Sequence, residues 1–232
     1  MKRFARSWLR NLGSDVVRYV PELSRPFDVL TLVVESRLRS TDSFYFVQVG
    51  ANDGALDDPI RHLVQGHGLA GLLIEPLPDL YSRLVQTYEG QDKLSFENVA
   101  VGRRPGVAQI YRVRSDAQVP EHWHGMASFS RAHLIKEGAP TDLVEACNVD
   151  VVPIERLFAK HAIRHIDLLQ IDVEGFDYEV LESVFATGMT PAIINYEHCH
   201  LVPKIRNAAK QMLLDRGYRF IEVGKDTLAV LD

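Results

Sequence analysis

Residues 44–54, FYFVQVGANDG, constrain the fold more than any other stretch. The run from Phe44 to Val49 is rich in aromatic and β-branched residues, which reads as a buried strand. It breaks into Gly50-Ala51-Asn52-Asp53-Gly54, a tight turn, because glycine and asparagine accept positive φ at little cost. In an α/β protein the turn after a central strand opens onto the crevice where ligands bind.

The rest of the chain supports an α/β reading. Apolar strand candidates at 71–74, 94–101, 166–171 and 192–195 alternate with helical patterns at 26–39, 60–66, 154–163, 176–184 and 204–216. Asp58 before Pro59 is a helix-start signal. Residues 107–113 alternate like an edge or hairpin strand, and 149–154 regain strand character. Residues 218–223 and 227–231 flank Gly224-Lys225-Asp226, a closing hairpin. Alternation of this kind predicts a mostly parallel sheet with helices on both faces. Residues 114–150 show no clear period and contain Glu121-His122-Trp123-His124, an irregular insertion of the kind that often carries function.

A chain of 232 residues with 46% apolar and 25% charged residues suits one globular domain with an extension. Through Arg39 it holds eight basic and four acidic residues, +4 against −9 for the remainder. This marks residues 1–40 as an N-terminal helical extension and 41–232 as the main domain. Phe4, Trp8, Leu12, Val16, Tyr19 and Val20 give residues 1–22 an amphipathic helical pattern. Such a helix would cap the domain, cover a substrate or touch an acidic membrane surface. The net charge of −5 argues against general nucleic-acid binding. Two cysteines, no run of about 20 apolar residues and no signal-peptide core point to a cytoplasmic protein without an integral membrane segment. Homo-oligomerisation stays open.

Several residues at expected strand ends carry chemistry. Glu75 follows the glycine turn by about 25 positions, where an acidic side chain in a nucleoside-binding βαβ unit accepts ribose hydroxyls. Asn98 closes the third strand, where an amide reaches a base. Asp172 and Glu174 follow the strand at 166–171, and Glu197-His198-Cys199-His200 follows the next. His122, His124, His198 and His200 with Cys199 offer metal-ligand chemistry, but no paired Cys-x-x-Cys or His-Glu-x-x-His occurs, and the expectation is no metal.

Val47-Gln48-Val49-Gly50-Ala51-Asn52-Asp53-Gly54, Leu73-Ile74-Glu75-Pro76, Asn98-Val99-Ala100-Val101-Gly102 and Ile171-Asp172-Val173-Glu174-Gly175, in that order, resemble the FkbM-type family of S-adenosylmethionine-dependent methyltransferases. The resemblance covers roughly residues 44–225. It implies a Rossmann-like class I methyltransferase fold, a seven-stranded sheet with a C-terminal antiparallel hairpin. It implies S-adenosyl-L-methionine as cofactor and O-methylation of a sugar, glycan or natural-product acceptor.

Carried across by position, Gly50, Asn52, Asp53 and Gly54 form the cofactor turn beneath the methionine part. Glu75 holds the ribose, Asn98 and Val99 lie near the adenine, and Asp172 faces the methyl-transfer centre. Gln170 stands where many relatives carry lysine. A hydroxyl acceptor is helped by a general base. The candidates are Asp172, Glu174, Glu197, His198, His124 and His122, with Asp172, Glu197 and His198 taken as catalytic. The competing readings are a non-catalytic nucleoside-binding protein on the same fold and a nicotinamide-dependent oxidoreductase. The second is weakened by the absence of Gly-x-Gly-x-x-Gly and of a Tyr-x-x-x-Lys pair.

Overall fold

The structure, a computed structural model, describes residues 28–231. The amphipathic pattern at 1–22 lies outside the described residues. The helix expected at 26–39 is α1, Val29–Leu38, started by Asp28, whose carboxylate accepts from Thr31 N. There follow β1 (Tyr45–Val49), α2 (Arg61–His67), β2 (Ala70–Ile74), α3 (Pro78–Thr87) and β3 (Leu94–Glu97). Asp58 accepts from both Ile60 N and Arg61 N just ahead of α2, but the helix begins at Arg61 with Ile60 as its cap, so Asp58 and Pro59 lie before the helix rather than at its cap and first position.

The strand expected at 94–101 is two strands. β3 ends at Glu97, and β4 (Ala100–Val101) belongs to a different sheet. Asn98 causes the break. Its amide donates to Glu75 O at 2.8 Å and Pro76 O at 3.0 Å, tying the chain to the end of β2 as it crosses between sheets.

Next come β5 (Gly106–Val113), α4 (His122–Gly125), β6 (Ala127–Ser128), α5 (Arg131–Lys136) and β7 (Val144–Val152). The aperiodic stretch 114–150 therefore holds two short helices, a short strand and the beginning of a long one. The chain closes with α6 (Ile154–Lys160), β8 (Leu168–Ile171), α7 (Asp177–Ala186), β9 (Ile193–Glu197), α8 (Pro203–Leu214), β10 (Tyr218–Val223) and β11 (Asp226–Leu231).

The large sheet has seven strands in the order β3-β2-β1-β8-β9-β11-β10. β3, β2, β1, β8 and β9 run parallel, and β11 runs antiparallel to both β9 and β10. Alternate side chains of β1 feed two cores, as the pleat requires. Val47 and Val49 pack with Leu72, Ile74, Leu169, Ile171 and residues of α6, α7 and α8. Phe46 packs on the other face with Leu73, Leu168, Ile193 and with Leu30 and Val34 of α1. Each such fully buried aliphatic or aromatic side chain contributes about 1.5–3 kcal/mol. α1 is thus a packed layer of the sheet, and Arg37 fastens it by an ion pair at 2.8 Å to Asp167, which also accepts from Tyr45 N.

The second sheet, β4-β7-β5-β6, is built around the antiparallel β5–β7 pair. It stands over the C-terminal ends of the parallel strands. Arg112 on β5 forks onto Asp79 of α3 and ties the second sheet to that helix.

Candidate functional site

Five parallel strands ending along one edge leave a crevice where β1 stops and the chain turns. Gly50 N and Ala51 N both donate to Ile74 O at 3.0 Å, so the turn sits tightly over the end of β2. Gly50 has φ +81°, and a Cβ there would lie 1.8 Å from Asp172 O. No other residue fits this close approach of two backbones. Asn52 is also left-handed, at φ 51°, a conformation asparagine tolerates.

A cavity of about 340 Å³ opens over this turn. One part of its wall is Gly50, Ala51, Asn52, Ile74, Glu75 and Val99. Glu75 is 4% exposed; its two oxygens accept from Asn52 N at 2.9 Å and Leu77 N at 2.8 Å. Burial lifts its carboxyl to about 7, despite those two hydrogen bonds and the nearby Arg112. Each oxygen keeps a free lone pair.

The opposite wall is acidic. Asp172, Glu174 and Glu197 all line the cavity. Desolvation, then the charges of Glu197, Asp177 and Glu174, hold Asp172 well above the usual carboxylate range. Asp172 faces the open space, yet protein surrounds it closely enough for this shift. Glu197 is raised by burial and by Glu174, and His200 partly offsets this. Asp177, fully buried behind this wall, is raised to about 8 by desolvation and then by Glu197. Lys225 shares the cavity; desolvation pulls its ammonium down, but Glu197 and the neighbouring acids outweigh it and raise the pKa. Glu174 is held at φ 52°, a strained left-handed conformation costing on the order of 1–2 kcal/mol.

The segment from α4 to just past β6 covers the opening, with His122, Trp123, Gly125, Met126 and Phe129 lining it from above. Phe129 meets Phe176 at 5.1 Å between ring centres, and Ser128 Oγ donates to Glu174 O. His124 is not among the lining residues.

Of the residues expected at the site from sequence, Gly50, Asn52, Glu75, Val99, Asp172 and Glu197 meet at one cavity. Asp53, Gly54, Asn98 and His198 do not line it. Asp53 caps the turn by accepting from Ala55 N and Leu56 N, Gly54 packs against Leu84 and Tyr88, and Asn98 ties β3 to β2. His198 is 3% exposed, with Nδ1 2.9 Å from Thr227 Oγ1 on β11.

Sequence reading missed Gln48, Gln170 and Lys225 in the cavity wall. Gln48, Gln170 and Asn195 are register partners across β1, β8 and β9, and Asn195 donates to Gln170 Oε1 at 2.9 Å. A polar residue at the matching place in three apolar strands was the available signal. His133 and Glu137, which sit beside His200, had none.

The sheet order, the closing antiparallel strand and a cavity over the first glycine turn define a Rossmann-like methyltransferase fold. The model of the "Methyltransferase FkbM domain" matches residues 48–220, three quarters of the sequence, and the chain belongs to the FkbM methyltransferase family. Among solved structures it is similar to methyltransferase FkbM from Methylobacillus flagellatus KT, at 13% identity and a TM-score of 0.52. That match covers 92% of this chain and 46% of the other, so the present chain spans about half the length of that protein. An S-adenosylhomocysteine-bound methyltransferase of Podospora anserina, PaMTH1, matches at 9% identity and a TM-score of 0.48, covering 99% of this chain and 86% of that one. Among curated proteins, no sequence matches.

Proposed function

We propose that this chain binds S-adenosyl-L-methionine across the ends of β1 and β2 and methylates a hydroxyl of a sugar, glycan or natural-product acceptor. The observation that carries the reading is one cavity with Glu75 on one wall and Asp172 with Glu197 on the other. The residues fit the cofactor. Glu75 has spare acceptor capacity for vicinal ribose hydroxyls, Ile74 and Val99 give apolar walls for a base, and acidic groups suit a cation.

The cofactor supplies a methyl group on a positively charged sulfur. The protein's part is to position and desolvate. Asp172 lies on the transfer side and takes the proton that the acceptor oxygen loses as its bond to the methyl carbon forms. Glu197 works on the acceptor side. His198 fixes the end of β9 against β11 through Thr227, a positioning role. Trp123 offers a flat face to a sugar ring. Residues 41–232 form the catalytic domain in this reading, with 1–40 as an extension whose α1 packs on the domain's sheet. A cytoplasmic setting is part of this reading, and both cysteines are unpaired, as a reducing compartment allows.

Calorimetric titration with S-adenosylhomocysteine and with reduced nicotinamide dinucleotide tests the cofactor. Binding of the first alone is expected; binding of neither, or of the second alone, overturns the reading. A screen of hydroxylated acceptors for the mass gain of one methyl group then identifies the acceptor, and Asp172→Asn is expected to lower kcat on it about 100-fold or more.

A further inference from the structure

Behind the acidic wall, three elements direct metal-ligand atoms at one another. His200 Nε2 lies 3.3 Å from Glu174 Oε2 and 3.3 Å from Glu197 Oε2, and His133 Nε2 lies 3.5 Å from Glu174 Oε2. These look like ion pairs, but the hydrogen-bond geometry is absent. Glu174 Oε2, Glu197 Oε2 and His133 Nε2 are all buried and have no hydrogen-bond partner. Glu197 is only 5% exposed, so its orphaned oxygen is a buried polar atom aimed into the cluster. An unsatisfied buried polar atom is costly and calls for a partner. Donor atoms held about 2.0–2.2 Å from a common tetrahedral centre stand roughly 3.3 Å apart, and His200 Nε2 keeps that spacing to the Oε2 atoms of both Glu174 and Glu197. Asp172, Glu174 and Glu197 also bring their oxygens within 4.8 Å of one another.

We propose that Glu174, Glu197 and His200, completed by His133, form a site for a divalent transition-metal cation at the acceptor end of the cavity. The donor set of imidazole with carboxylate suits Mn²⁺ or Zn²⁺ over Mg²⁺, which prefers oxygen alone. Glu137 faces the other ring nitrogen of His200 at 3.6 Å, the usual place of a carboxylate that orients a ligating histidine. Glu174, Glu197, His200 and Glu137 all line the cavity, so a cation there reaches a bound acceptor. In the O-methylation reading, on which this role rests, the cation binds the acceptor hydroxyl and makes its proton easier to remove. Acceptors with a second oxygen beside the reacting one, such as vicinal diols, chelate it best.

Chelator-treated, tag-free protein is titrated with Mn²⁺ and with Zn²⁺ by calorimetry, and Mn²⁺ is followed by electron paramagnetic resonance. One ion per chain is expected. His200→Ala is expected to weaken binding on the order of 100-fold, and Glu137→Gln, which is milder for folding, 10–100-fold. Melting temperature and S-adenosylhomocysteine affinity are read on the same samples to show that each variant is folded. Absence of saturable binding to the original chain overturns the site, as does binding that survives His200→Ala and His133→Ala unchanged. If the ion binds and S-adenosylhomocysteine does not, the methyltransferase reading falls and the metal site stands. If methyl transfer proceeds equally with chelator present, the cation's role on the acceptor falls.

Discussion

Gly50 and Glu75 show how single residues set the site. At Gly50 the demand is steric: φ +81° and a Cβ 1.8 Å from Asp172 O leave room for hydrogen only. Gly50→Ala is therefore expected to cost about 3 kcal/mol in urea unfolding, and to abolish cofactor binding, because β1 and β8 must separate to admit it. At Glu75 the effect is electrostatic. Its pKa in the fold, about 7, lies above that of the unfolded chain, so the fold holds the proton more tightly. Its contribution to stability is full below about pH 4.5 and is lost as pH rises through 7, on the order of 3 kcal/mol at most. Glu75→Gln should flatten that part of the stability–pH profile. Ribose binding needs the charged form, so affinity for S-adenosylhomocysteine should weaken as pH falls below about 7. A pH-independent affinity in the original chain would show that Glu75 does not hold the ribose.

At the scale of elements, Arg112 ties the second sheet to α3 of the main layer. It is buried on β5, forks onto Asp79 of α3 and donates through Nε to Val113 O. Asp79 is partly exposed and is resolvated when its partner leaves, so Arg112→Ala is expected to cost about 2 kcal/mol, less than a fully buried pair. Arg112→Lys should recover only part, since the forked geometry is lost. Thermal unfolding of the three proteins checks this. The central strands of the large sheet and the helices on it were legible because they bury apolar faces, and β10 because the hairpin turn at Gly224 marks it. The break between β3 and β4 was not. LSFENVAV reads as one strand, and only the bonds from Asn98 to Glu75 O and Pro76 O reveal a crossing between sheets. The start of β7 at Val144 was also hidden, because Val144–Val152 is half-exposed and its pairing with β5 supplies what its sequence pattern does not.

For the whole molecule, the site lies between a parallel sheet and the smaller sheet that covers it. A ligand binding there stabilises both together. At 100 times its Kd, S-adenosylhomocysteine should add about 2.7 kcal/mol, raising Tm by roughly 5–10 °C for a chain of this size. Cleavage within residues 114–143 by added protease should slow in parallel. An unchanged Tm at saturating ligand would argue against a cofactor cavity at this place.

The alternation of strands and helices, the closing hairpin, the glycine turn and the acidic residues Glu75, Asp172 and Glu197 are legible in the sequence alone. These are local: periodicity, backbone freedom and strand-end position are written in neighbouring residues. Which way those residues turn is set by the tertiary fold. It sent His198 to Thr227 and Asn98 to the backbone of β2, and it carried Glu174, Glu197, His200 and the distant His133 to within 3.5 Å along a chain of contacts. Those meetings depend on strand order and on how the second sheet folds back over the first, and neither has a signature within any one segment.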